Sequence, residues 1–510
     1  MAQTDAPTVA APGQRTKLAA VVVAVFVVAA LLYVVLLVAN ARTRRPWNDE
    51  AMFADAAFNL AFKGFMGLTV MENQDNLPNL HRYMYFAFPL YMVILAAWYK
   101  VVGFSLMAMR VMQMGWTVLF LWEWWVLLKF WSRKTGIALL GTALIALEYN
   151  VMIAASFGRY EPMVGALGFG AYCCYLVLRE RHLALAILAA NACVTAAGTT
   201  HPNGLMFFLG LWFLILYLDR RRLQWKHLAV AAIPYAAGAA LWGIYILKSP
   251  QSFLAQLHAN SYSRFGLFAP IHSLKLEWDR YMTTFGFGEH SAGSAGPIRL
   301  KMVVLVVYVL CIVAFLSIRE LRKNKSYVPL LMLTAIHFLY QCFIDGFKLT
   351  FYLFLMVPLY AAITAIVLYY LWERGPALKA AVAAVVMVLV ALQVGGIAQR
   401  IRIDTYGRMY LPAVHYLQEN AKASDLILAS CEMGFGYGFT PNLTDDIRLG
   451  FATGKKPVYI VVEEAYQANF DYWKNKQPDL YEFIKNRLSR EYDMVYDRES
   501  YRIYKRKPGV

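Results

Sequence analysis

The chain has 510 residues, of which 60% are hydrophobic, 15% aromatic and only 16% charged. A soluble domain of this size cannot hide so much apolar surface, so several membrane spans follow and a soluble globular enzyme is excluded. The formal net charge of +17 falls in short Lys and Arg clusters between apolar runs. That pattern orients a polytopic membrane protein and argues against a nucleic-acid partner.

Residues 1–17, with Pro7 and Pro12, read as a short cytoplasmic tail. Arg15 and Lys17 precede the apolar run Leu18 to Val38, which is longer than a signal-peptide core and is read as an uncleaved first span. Further runs of spanning length occur at 106–130, 136–156, 162–178, 183–199, 204–218, 228–247, 300–318, 328–344, 349–371 and 380–398. Another, Tyr83 to Val102, contains Pro89 and is rich in Tyr and Trp. If 83–102 crossed the membrane, five basic clusters, from Arg133-Lys134 to Glu373–Lys379, would lie opposite Arg15 and Lys17. Placed in the interface, it puts all five on the cytoplasmic side and leaves about eleven true spans. Arg42, Arg44 and Arg45 break this rule and are read as facing an anionic ligand or headgroup.

This topology gathers the polar loops at the outer face: 41–105, 157–162, 199–204, 249–299 and 345–348, with the tail 399–510. The chain therefore divides into the tail 1–17, a transmembrane domain 18–398 and an extracytoplasmic domain 399–510. The last predicts a helix at 412–422, strands at 425–429 and 457–462, a helix at 479–490 and a closing hairpin over 491–504, a small α/β fold. Of six cysteines only Cys431 lies in this domain, so no disulfide framework is expected.

Five outer segments carry residues suited to chemistry. Arg45-Pro46-Trp47-Asn48-Asp49-Glu50 opens an amphipathic helix, with Met52, Phe53, Ala56, Ala57 and Leu60 as its apolar stripe. Asn48 as a cap, with the acids at the positive helix end, is a sufficient structural reading; the pair is also what a reaction at the membrane surface would use. Gly158-Arg159-Tyr160-Glu161-Pro162 opens a span, and its charges are either paired with each other or functional. Thr200-His201-Pro202-Asn203 and Asp345-Gly346-Phe347-Lys348 bring a histidine and a lysine to the same face. The loop 249–299 holds Glu289 and His290 among glycines and is expected to be flexible enough to close over a substrate.

The order of a first span, Trp-x-Asp-Glu, an aromatic interfacial helix, Arg-Tyr-x-x-Pro-like residues, a helix bundle and a small exported domain resembles the GT-C superfamily of glycosyltransferases. These enzymes use polyprenyl-phosphate sugars, and the chain is most similar to protein O-mannosyltransferases and lipid A aminoarabinose transferases. The resemblance implies a polytopic α-helical GT-C-like fold and a transferase of the cytoplasmic (inner) membrane, hexosyl or pentosyl, with its site on the outer face. It implies Asp49 as base, with Glu50 and Glu161 as further acidic residues. Lys348, Arg159, His201 and Arg45 would bind the donor phosphate. Trp47, Tyr160, Asn203, Asp345, Glu289 and His290 would line the substrate site. The acceptor would be a lipid, polysaccharide or protein. Some members use a divalent ion, which Asp49 and Glu161 would hold here. Two other classes stay open: a transporter or flippase of a lipid-linked sugar, and a catalytically silent lipid-binding relative.

Overall fold

The computed structural model of the chain describes residues 12–71, 77–261, 269–286 and 301–509, with only the backbone of 12–26 and 261. Among these, eight helices are long and apolar enough to cross a membrane, and ten if two bent pairs each count as one span. The protein is a multi-pass membrane protein.

The first helix, α1 (Pro12–Thr43), turns by 90° into α2 (Asn48–Lys63), which therefore lies across one end of the bundle. The buried face of α2 is mostly alanine, Ala51, Ala54, Ala56, Ala57 and Ala61, so α3 (Pro89–Val102) packs closely on it. With 14 residues, α3 is shorter than the roughly 20 needed to span, as expected of an interfacial helix. Next come α4 (Leu106–Ser132) and the pair α5 (Thr135–Ala146) and α6 (Tyr149–Ala155), bent by 64° where the sequence predicts one run. The bend has a local cause: Glu148 accepts from the N–H groups of Asn150 and Val151 at 2.6 and 3.1 Å and so starts a new helix.

The bundle continues through α7 (Glu161–Leu178), α8 (Leu183–Thr200), α9 (Leu205–Asp219) and α10 (Trp225–Ile246). The segment 249–299, expected as a flexible loop, is helical over α11 (Pro250–Ser261) and α12 (Pro270–Phe285). Gln256 of α11 accepts from the N–H groups of Tyr85 and Phe86 at 2.7 and 3.1 Å, which fixes α11 against the segment before α3. After α13 (Met302–Ser317) and the short α14 (Arg319–Arg322) come α15 (Val328–Phe343), α16 (Val357–Trp372) and α17 (Pro376–Ile403). Helix α16 is apolar all round and is buried without interruption from Val357 to Leu368, so it forms the centre of the bundle.

The C-terminal domain follows from α18 (Leu411–Asn420). Its strands are β1 (Ile427–Leu428), β2 (Leu443–Thr444), β3 (Tyr459–Glu463), β4 (Tyr492–Arg498) and β5 (Tyr501–Arg506), in the order β2-β1-β3-β5-β4. Strands β2, β1 and β3 are parallel, while β5 runs antiparallel to β3 and β4. Between them lie α19 (Gly434–Tyr437), α20 (Glu464–Lys476) and α21 (Pro478–Glu491). Side chains alternate across β3: Ile460 and Val462 pack with Phe470 and Ile484 of α20 and α21. Tyr459 and Val461 face the other way, into the core shared with the membrane helices. The sheet reaches the loop after α2 directly, because Met71 forms a parallel bridge with Asp445, whose N–H donates to the Val70 carbonyl at 2.6 Å.

Candidate functional site

The bend between α1 and α2 sends the two adjacent carboxylates in different directions. Glu50 is fully buried. It accepts from Arg110 Nε and Nη2 at 2.9 and 2.8 Å, from the Gly158 N–H at 2.6 Å and from the Trp47 N–H at 3.1 Å. Arg110, also buried, spends its remaining donors on the carbonyls of Ala41, Arg44 and Arg45. The pair therefore ties α4 to the bend, with both ions hydrogen-bonded as burial requires. Gly158 is needed here, since a Cβ would stand 2.9 Å from Glu50 Oε1 and 2.6 Å from Met109 Sδ. Asn48 does not cap α2 as expected; Trp47 holds the cap position, and Asn48 Oδ1 accepts from the Cys431 thiol at 2.6 Å.

Asp49 points the other way and keeps 26% of its side chain exposed. Its carboxylate is bonded by Arg159 Nη1. The same guanidinium, fully buried, donates from Nη2 and Nε to Glu161 at 2.7 and 3.0 Å and from Nη2 to Tyr160 Oη at 3.3 Å. The aromatic rings of Phe351 and Trp47 lie 4.7 and 5.3 Å from its Cζ. Glu161, 1% exposed, is thus the anchor behind Arg159, and Asp49 is the carboxylate in front. A guanidinium bridges the two acids where a shared divalent ion would sit. Among the described residues no three His, Cys, Asp or Glu side chains gather as metal ligands. The donor set does not fit such an ion.

Asp49 borders a cavity of about 150 Å³ with Phe53, Phe88, Met92, Tyr160, His201, Phe347 and Tyr352. The wall is mostly apolar, and Asp49 is its sole carboxylate among the described residues. His201 stacks on Tyr160 with centroids 4.4 Å apart. Its Nδ1 accepts from the Asn203 N–H at 3.2 Å, which leaves the proton on Nε2, 3.2 Å from Tyr352 Oη. Asp49, Arg159, Tyr160, Glu161 and His201 are therefore brought together, with Trp47 against Arg159.

Four other expected residues stand apart. Lys348 and Asp345 belong to a buried cluster: Lys348 Nζ is 3.1 Å from Glu277, and Arg280 joins Glu277 and Asp345. Two carboxylates and two cations cancel there, and Lys348 also donates to the Gln341 and Cys342 carbonyls. Arg45 faces the C-terminal domain, where it pairs with Glu464 at 2.9 Å. Asn203 contributes its N–H to His201, and its side chain is buried in the turn after α8. Glu289 and His290 lie outside the described residues. Sequence reasoning missed Arg110, Glu277, Arg280 and Tyr352. A lone arginine within the apolar run 106–130 was the available signal, because a charge there requires a partner.

No protein-family model and no curated protein matches the sequence. Solved structures do match in fold. ArnT from Cupriavidus metallidurans bound to undecaprenyl phosphate aligns with a TM-score of 0.58 at 12% identity, over 95% of this chain and 98% of that one. The apo form of ArnT aligns with a TM-score of 0.57 at 13% identity over the same shares. The Archaeoglobus fulgidus oligosaccharyltransferase in complex with Zn and sulfate gives 0.53 at 12% identity, over 93% of this chain and 73% of that one. At such identity the likeness is one of architecture, and it covers both the bundle and the small sheet domain: the chain has the GT-C fold.

Proposed function

We propose that the chain is a glycosyltransferase that moves a sugar from a polyprenyl-phosphate donor to an acceptor hydroxyl or phosphate at the outer face of the cytoplasmic membrane. The observation that carries this reading is Asp49, the carboxylate that reaches the cavity while Arg159 holds it from behind. The acceptor oxygen attacks the anomeric carbon, the bond from that carbon to the phosphate oxygen breaks, and polyprenyl phosphate leaves with the electron pair. Asp49 takes the acceptor proton. A single displacement of this kind inverts the anomeric centre.

The other residues support the step by position. Arg159 is fixed by Glu161 and bonds Asp49, so it holds the base in one orientation toward the cavity. His201 presents an N–H toward Tyr352 on the opposite wall. The apolar lining of Phe53, Phe88, Met92 and Phe347 suits the start of an isoprenoid chain. A fold neighbour bound to undecaprenyl phosphate supports a donor of this class. We assign Lys348 to holding the turn that carries Phe347, since its charge is already neutralised.

The test is release of free polyprenyl phosphate from polyprenyl-monophosphate sugars by the purified protein in nanodiscs, with envelope extract as acceptor, followed by mass spectrometry. Release by the wild type and its loss in Asp49→Asn is the expected result. Equal release by both removes Asp49 as base, and no release from any donor by a folded wild type removes the transferase reading.

A further inference from the structure

A second cavity, of about 550 Å³, lies on the other side of Trp47, between the α1–α2 bend, the end of α17 and the C-terminal domain. It can hold far more than a single water, whose share of liquid volume is about 30 Å³. Its two walls differ in how their charges are used. On the C-terminal domain the acids are committed: Glu463 caps α20 by accepting from Ala465 and Tyr466 N–H at 2.6 and 3.0 Å, Glu464 pairs with Arg45, and Glu432 accepts from Tyr501.

On the membrane wall Arg44 and Arg400 are not. Arg44 lies flat over Phe157, with Cζ 3.6 Å from the ring centroid, and its buried Nη1 has no hydrogen-bond partner. Arg400 donates to Tyr149 Oη at 3.2 Å, and Lys301 Nζ sits 3.2 Å above the ring of that tyrosine. Among the described residues neither Arg44 nor Arg400 forms an ion pair with a carboxylate. Burial, and next the Arg400 charge, push Arg44 well below its ordinary range, against a smaller pull from Glu50, which is bonded to Arg110. Arg400 stands about one turn beyond Ile397 and Arg44 about two turns beyond Leu37, the two residues that share an apolar seam with Met152.

We propose that this cavity is a binding site for a phosphate-bearing group, held by Arg44 and Arg400 and separate from the Asp49 cavity. Planar guanidinium groups bind phosphate through paired N–H donors, and two of them, half-buried on one wall, gain a counter-ion that the protein does not supply. The group comes either from a membrane lipid headgroup or from a soluble phosphate compound, and the two sources are separable by experiment. The site stands or falls independently of the transferase reading, because it is read by binding.

Purified wild-type protein and the variant Arg44→Gln/Arg400→Gln are titrated with dioleoyl phosphatidic acid and, as control, dioleoyl phosphatidylcholine, with bound lipid counted by native mass spectrometry. A calorimetric titration with inorganic phosphate is the second arm. The wild type is expected to prefer phosphatidic acid, with binding about tenfold weaker in the double variant, as loss of charge-assisted phosphate pairs implies. Preference for phosphatidic acid without phosphate heat assigns a lipid headgroup; heat from inorganic phosphate assigns a soluble source. Equal binding of both lipids with no phosphate heat overturns the proposal, as does phosphatidic acid binding unchanged by the substitutions. Should the double variant not fold, the single variant Arg400→Gln at the end of α17 carries the same comparison.

Discussion

The guanidinium of Arg159 bonds the carboxylate of Asp49 across 110 residues of sequence, and it can do so because its other edge is fastened to Glu161. One positive charge shared by two acids leaves a net negative charge at the exposed member of the trio. That asymmetry is what separates Asp49 from its neighbours, and it sets the first expectations.

Replacing Asp49 by Asn is expected to lower turnover by about 10²- to 10⁴-fold, the usual contribution of a positioned base, with unchanged thermal unfolding. Glu161→Gln keeps a hydrogen bond to Arg159 and lowers turnover less, while leaving Asp49 in place. Turnover of both variants with one donor, measured beside the wild type, orders the two effects; a larger loss in Glu161→Gln would reverse the assignment.

Glu50 and Arg110 should report on stability instead. Arg110→Met strands a buried carboxylate and is expected to cost about 3–5 kcal/mol, whereas Glu50→Gln/Arg110→Met removes both charges and costs less. Thermal unfolding of the two variants beside the wild type in one detergent checks the order.

Lys348→Met is expected to act in the same way. It unbalances a cluster in which Glu277, Asp345 and Arg280 are all buried, so the melting temperature falls and any loss of activity follows the loss of fold. A kcat or KM effect in a variant that melts like the wild type would return Lys348 to the donor phosphate.

The C-terminal domain should carry a pH signature. Burial, and next the Glu463 carboxylate, push Glu432 up from 4.5 to about 8. A carboxyl that holds its proton more tightly when folded contributes stability that is complete below about 4.5 and is lost as pH rises from there to about 8. Glu432→Gln is expected to flatten this decline, raising the melting temperature at pH 8 relative to the wild type and leaving it little changed at pH 5.

How much of this was legible depended on the range of each signal. The spans and the C-terminal strands follow from local periodicity, so β3 and β5 fall where an apolar run and a hairpin pattern put them. The Arg159–Glu161 pair is two residues apart and could be read directly. Resemblance put Asp49 and Arg159 at one site, but their pairing was not legible, since nothing in spacing links positions 110 residues apart. Arg110 announced only that it needed a partner. The neutralisation of Lys348 was hidden because its partners sit on α12, in a stretch whose flanking glycines suggested a loop. Arg45 was misdirected for the same reason: its partner Glu464 begins α20, a polar helix with little apolar stripe to reveal it.

The bridge between Met71 and Asp445 has a mechanical meaning. It makes the sheet of the small domain and the loop after α2 a single hydrogen-bonded piece, continued by Asp55, which accepts from the Val70 N–H at 3.3 Å. A hinge at this place cannot swing without first breaking backbone pairing, so the small domain and the loop after α2 move as one piece. The Asp445 amide, locked to Val70 at 2.6 Å, is the bolt, and its hydrogen exchange times every opening.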